Sequence, residues 1–249
     1  MRACVPKVIA EALGGLLLLA SSAEAGLDGM AITASFTATS DFVFRGVSQS
    51  DGQPSLQAGL EMEHPAGLFA GVWASTVQFS GDLYRDDPRD VEVDLYAGYG
   101  LELPRSWSLV SSVVRYTYPR ADTPFDYDYN ELGVAVQYRR AALASSYSDN
   151  ALGTQDAGFS CELTGKLPLP RGLELGGGAG LYYLRASDDD YRYWHLSVSR
   201  AWRRVNLQLA YIDSDLSARR RWGDAAGSRV VLSAAVAAWH LNPRFRRPD

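Results

Sequence analysis

The chain has 249 residues, with 24 Lys and Arg against 29 Asp and Glu and a formal net charge of −5. That length suits one large all-β domain or two small domains, and the mild acidity without a basic patch argues against a nucleic-acid surface. After the N-terminus, no stretch is apolar for the roughly 20 residues that a membrane helix needs.

In chain order, Met1 to Ala25 read as an export signal. Arg2 and Lys7 give a positive start, Leu13 to Ala20 a short apolar core, and Ala23-Glu24-Ala25 an A-x-A cleavage site. The mature chain then begins near Gly26 and keeps one cysteine, Cys161, so it forms no intrachain disulfide.

From there the pattern is period two. In VEVDLYAGYGLEL (91–103), Val91, Val93, Leu95, Ala97, Tyr99, Leu101 and Leu103 share one face. Glu92, Asp94, Tyr96, Gly98, Gly100 and Glu102 share the other. Successive side chains of a strand point to opposite faces, so this is one apolar wall and one polar wall. The spacing predicts twelve strands, at 32–45, 54–64, 68–79, 91–103, 107–118, 129–138, 141–148, 156–167, 173–185, 191–201, 205–213 and 229–239.

The connections alternate. Short turns such as HPAG (64–67) and PRS (104–106) follow even strands, and longer acidic or polar segments follow odd ones. Short turns alternating with long loops, an even strand count and strands near ten residues mark an outer-membrane barrel. Closure follows because hydrocarbon cannot satisfy an unpaired sheet edge. The expectation is an all-β, single-domain, antiparallel up-and-down transmembrane β-barrel over 26–239, preceded by the signal at 1–25 and followed by a polar basic tail at 240–249. A soluble sandwich fits less well, because twelve strands are many for a small soluble barrel. Aromatics at the ends of the apolar faces, namely Tyr99, Trp107, Tyr116, Tyr118, Tyr138, Tyr183, Trp194 and Tyr211, suit interfacial girdles.

On this register the polar wall lines a lumen. Its acids are Asp41, Glu61, Glu63, Glu92, Asp94, Glu102, Glu131, Glu162 and Glu174, and its bases are Arg45, Arg115 and Lys166. Carboxylates in a wet channel concentrate cations. In the first strand, Phe42 and Phe44 fall on the lipid face, while Asp41 and Arg45 fall on the lumen face four residues apart. Arg45 there either sets a transverse field or forms a structural ion pair, to Asp41 or to a carboxylate on a neighbouring strand such as Glu61 or Glu63. The loop run Asp188-Asp189-Asp190 lacks the spacing of a defined calcium loop. No zinc spacing or phosphate loop occurs, and no cofactor is expected. His195 and Ser197 share a face and carry the alternative of an outer-membrane lipid hydrolase, which also needs an orienting acid and an oxyanion site.

The stretch SDFVFRGVSQSDGQPSLQAGLEMEHPAGLFAGVWAS (40–75) resembles the opening motif of the TorF (Gcw_chp) family of porin-like proteins. The matching pieces are S-D-F-x-F-R-G-x-S-Q-S at 40–50, Gln53-Pro54, and G-L-F-A-G-V-W-A-S at 67–75. A second match lies in DYRYWHLSVSRAWRRVNLQLAYID (190–213). The resemblance covers nearly the whole mature chain and implies an outer-membrane barrel with its solute unassigned. One departure is the tail HLNPRFRRPD after Trp239, where such barrels end on an aromatic residue.

The expected function is passive diffusion of small hydrophilic solutes or ions across the outer membrane, with a weak cation preference. The expected surroundings are outer-membrane lipid and lipopolysaccharide. A non-conducting structural or adhesive barrel is the alternative of a different class.

Overall fold

The computed structural model describes residues 30–79, 90–119, 127–185 and 190–240, with side chains to Val236 in the last strand. The signal segment, the tail from residue 241 and most of the loop acids (Asp82, Asp86, Asp87, Asp122, Asp126, Asp188, Asp189) lie outside the described residues.

The strands are β1 (Ala31–Thr39), β2 (Val43–Phe44), β3 (Val47–Ser48), β4 (Ser55–Glu63), β5 (Leu68–Thr76), β6 (Val91–Leu103) and β7 (Trp107–Thr117). They continue with β8 (Tyr129–Tyr138), β9 (Ala141–Ser148), β10 (Gly158–Pro168), β11 (Leu173–Leu184), β12 (Tyr191–Trp202), β13 (Val205–Ser214) and β14 (Arg229–His240). A short helix, α1 (Leu216–Trp222), lies between β13 and β14. All but β2 and β3 form one closed antiparallel barrel of twelve strands in sequence order, sealed by β1 against β14. Each strand expected from the sequence has its counterpart, and two differences matter. The first strand ends at Thr39 instead of 45, and the last runs to His240.

The two walls separate as alternation demands. Leu56, Leu95, Leu132, Val134, Leu163, Leu196 and Leu209 point outward and are between 50% and 67% exposed. A soluble fold would not leave a continuous apolar belt in water, but hydrocarbon accepts it, and the closed sheet leaves no edge there. Aromatics rim the belt: Trp107 packs on Tyr138 at 4.6 Å between ring centres, and Trp194 on Tyr211 at 5.3 Å. Tyr116 and Tyr118 do not join it. Trp107 is outward, so every even residue of β7 points inward, and Tyr116 is 2% exposed with its ring stacked 4.4 Å from Tyr129. Tyr118 packs on Phe79 at 5.6 Å against the same inner cluster.

The short turns sit at one end of the barrel with the chain's two terminal strand ends, and the long connections sit at the other. We call these the turn end and the loop end. At the turn end, Arg105, Arg139, Arg171 and Arg203 take positive φ angles between 55° and 64° in tight reversals. The expected loop-rich face is therefore the end at which residues 40–54 leave β1.

Candidate functional site

Residues 40–53 do not extend the barrel wall. Beyond Ser40, whose N–H still donates to Leu232 O on β14, the chain leaves the wall at the end of β1 and folds back inside the barrel as the β2–β3 hairpin. The chain reverses through Arg45 (φ 48°) and Gly46 (φ 78°). Positive φ at both central residues is the two-residue hairpin turn whose twist matches its strands, and it favours Gly at the second position. Gly46 is also required by space: a Cβ there would lie 2.5 Å from Tyr193 Cβ.

This inward fold corrects the placement of Phe42 and Phe44. They do not face lipid: they are 2% and 9% exposed inside the barrel. Phe42 packs edge-on to Trp73 at 5.4 Å, and Phe44 lies 6.1 Å from Tyr116. Alternation along β1 gave them a lipid-facing parity, but that parity lapses once the strand ends at Thr39.

Two ion pairs hold the hairpin. Asp41 accepts Arg229 Nη1 at 2.7 Å and also accepts the hydroxyls of Ser48 and Ser50. Arg45 donates through Nη1 and Nη2 to Glu131 Oε2 and Oε1, at 2.9 and 2.7 Å, and through Nη2 to Ser146 Oγ at 2.9 Å. The guanidinium also lies over the rings of Phe44 and Tyr182, at 4.5 and 4.8 Å. Arg45 is thus paired with Glu131, and the partners expected from the sequence, Asp41, Glu61 and Glu63, are not the ones it meets in these bonds. Burial in low dielectric strengthens such a two-point pair and makes each partner costly to lose.

The other positions expected in the lumen divide by place. Glu61 accepts Tyr96 Oη at 3.0 Å, and Glu63 follows it on the same inner face. Glu92 and Asp94, on the inner face of β6, are 4% and 1% exposed. The two carboxyl groups are buried against each other, close enough to share a hydrogen bond. Glu162 accepts Tyr193 Oη at 3.1 Å and lies 3.6 Å from His195 Nδ1. Lys166 and Glu174 stand 3.9 Å apart towards the turn end. Glu102 lies opposite Ser108 at the turn-end mouth and is exposed.

Arg115 is a second correction. It lies between inward Val114 and Tyr116, so it points outward, 43% exposed at its side chain, and donates to Asp128 Oδ2 at 2.9 Å. Its odd parity on β7, shared with Trp107, was the signal in the sequence. Arg229 is an inner basic residue absent from the lumen set expected from the sequence. It shares the inner face of β14 with Val231 and Ser233, but the Ala-rich run after them blurs the alternation. Ser197 accepts Gln208 Nε2 at 3.4 Å, while His195 faces Glu162.

The interior is thus filled towards the loop end by the hairpin and a ring of Tyr and Phe side chains. The interior positions nearer the turn end, among them Thr33, Ser35, Glu61, Glu63, Lys166 and Glu174, are half-buried.

The sequence profile of Gcw_chp, described as a bacterial protein of unknown function, matches residues 23–239. No curated protein matches the chain. Among solved structures, the COG4313 outer membrane channel from Pseudomonas putida F1 is 14% identical, with a TM-score of 0.50 over 86% of this chain and 97% of that one. The KdgM porin is 8% identical, with a TM-score of 0.49 over 84% and 99%. At 14% identity the likeness to the COG4313 channel is one of fold.

Proposed function

The chain belongs to the Gcw_chp family, and from that premise we propose that it is a porin-like channel of the outer membrane, passing small hydrophilic solutes or ions. One observation carries this reading: a closed twelve-stranded barrel with an apolar outer belt and a polar, charged inner wall. A barrel that served only as an anchor would have no need of inward Glu61, Glu63, Glu162, Lys166 and Glu174. Export through the segment 1–25 and contact of the loops with lipopolysaccharide belong to the same proposal.

The reading includes a weak cation preference. Arg45 is matched by Glu131, Arg229 by Asp41 and Lys166 by Glu174. With Arg115 outside, the inner wall carries more carboxyl groups than bases, with Glu102 at the exposed turn-end mouth. Inner negative charge raises the local cation concentration.

The hairpin favours a second reading, a barrel closed at its loop end. Planar-bilayer recording on the mature chain under a potassium chloride gradient decides between them. Discrete current steps reversing on the cation side are expected. Silence from protein shown to be inserted would overturn conduction in favour of the closed barrel.

A further inference from the structure

A cavity of about 700 Å³ opens at the loop end, above the hairpin. Its size is that of pockets that enclose a small organic ligand, roughly 300–1,000 Å³. Three elements build it. The β3 side of the hairpin forms the floor with Phe44, Val47, Ser48, Gln49 and Asp51. The C-terminal turn of α1 and the 3₁₀ turn after it (Gly223–Ala225) supply Arg220, Arg221, Trp222 and Asp224. Rings close the rest: Phe79, Tyr118, Tyr127, Tyr182 and Tyr191.

Two features of this lining limit the ligand. The described charges balance, two guanidiniums against the carboxylates of Asp51 and Asp224, so neither an anion nor a cation is preferred by sign. The walls combine flat apolar rings with groups that both donate and accept. A purely aromatic solute would leave those polar groups unmet, and a simple ion would leave the rings unused. A saccharide satisfies both, because its ring faces are apolar C–H surfaces while its edge hydroxyls donate and accept.

We infer that this cavity is a binding site for neutral di- and trisaccharides at the mouth of the barrel. The inference deepens the channel reading and rests on it for its biological sense, but binding itself does not require current. The sugar ring lies against the Trp222 indole, and its hydroxyls reach Asp224 and the Arg220 guanidinium.

The test is isothermal titration of the whole refolded barrel with maltose, lactose, cellobiose and maltotriose. Lauryldimethylamine oxide micelles are used, because their head group carries no sugar. At least one sugar is expected to bind with a Kd on the order of 1 mM or tighter. Trp222→Ala is expected to weaken it about tenfold or more, whereas Trp107→Ala, outside the barrel at the turn end, leaves it unchanged. Asp224→Asn serves as a second variant should Trp222→Ala fold poorly, and it lowers affinity in the same direction. Binding of none of the four sugars, or binding indifferent to both cavity variants, overturns the site. Sugar binding without bilayer current overturns the channel and leaves the site standing, while current without sugar binding does the reverse.

Discussion

Arg45 and Glu131 lie 86 residues apart in the chain and meet inside the barrel through two hydrogen bonds of 2.9 and 2.7 Å. One stands at the tip of a hairpin that springs from β1, and the other on β8, so the pair spans the interior and fastens the hairpin to a strand it does not adjoin. Removing one partner leaves a buried charge. Arg45→Ala and Glu131→Ala should each cost about 3–5 kcal/mol, read as a fall in the urea midpoint of the refolded barrel. The double replacement Arg45→Met with Glu131→Leu should restore most of that loss, because neither charge is then stranded. In bilayers both single variants should raise unit conductance, since the hairpin loses its far attachment.

The hairpin tip is also tested by Gly46. Any side chain there meets both a positive φ of 78° and Tyr193 at 2.5 Å. Gly46→Ala should destabilise the hairpin by more than the roughly 1 kcal/mol that an incompatible φ costs alone. Gly52 has φ 69° but nothing within 4 Å of the place its methyl group would take, so Gly52→Ala should show only that backbone cost. Limited proteolysis comparing cleavage within residues 40–53 separates the two. Equal cleavage in both variants would contradict the close packing on Tyr193.

Asp94 and Glu92 bury two carboxyl groups against each other on the inner face of β6. Two carboxyl groups buried together oppose folding when both are ionised, because neither their desolvation nor their like charge is offset by a facing base. Asp94→Asn should therefore stabilise the barrel, by on the order of 1 kcal/mol or more, measured as a higher urea midpoint at neutral pH. A lower midpoint would show that the carboxyl group is satisfied in the folded protein.

The orientation of the wall is open to charge placement. Leu132 is 61% exposed on the outer face of β8. Leu132→Arg should cost about 2–4 kcal/mol if it lies near the bilayer midplane and should reduce the yield of refolded barrel in lipid vesicles. Refolding unaffected by this change would contradict a lipid-facing belt.

Selectivity offers a paired comparison. Neutralising Arg115, which is outside and bonded to Asp128, should leave the reversal potential unchanged. Neutralising Lys166, which faces inward beside Glu174, should move it further to the cation side. A shift produced by Arg115→Ala would place that residue on the conduction path and contradict the parity of β7.

The strands, their walls and the alternation of turns with loops were legible in the sequence. They are local properties: each follows from whether a side chain two residues on meets the same solvent. Residues 91–103 and 129–138 illustrate this, since their strand bounds coincide with those expected and Glu92, Asp94 and Glu131 face inward as read. Arg115 could have been placed correctly by the same means, by counting from Trp107.

The fate of residues 40–53 was not legible in this way. The alternation of β1 continues through Phe42 and Phe44 on paper, and nothing local marks Ser40 as the point where the chain leaves the wall. Whether it extends outward or folds inward depends on Glu131 and Arg229, 86 and 188 residues distant from Arg45 and Asp41. Those partners come within reach only when the barrel closes. The sequence by itself therefore determined the two-faced wall, because period-two burial is decided residue by residue. The tertiary structure alone decided what fills the wall, because an ion pair across a closed barrel joins groups that the chain keeps far apart.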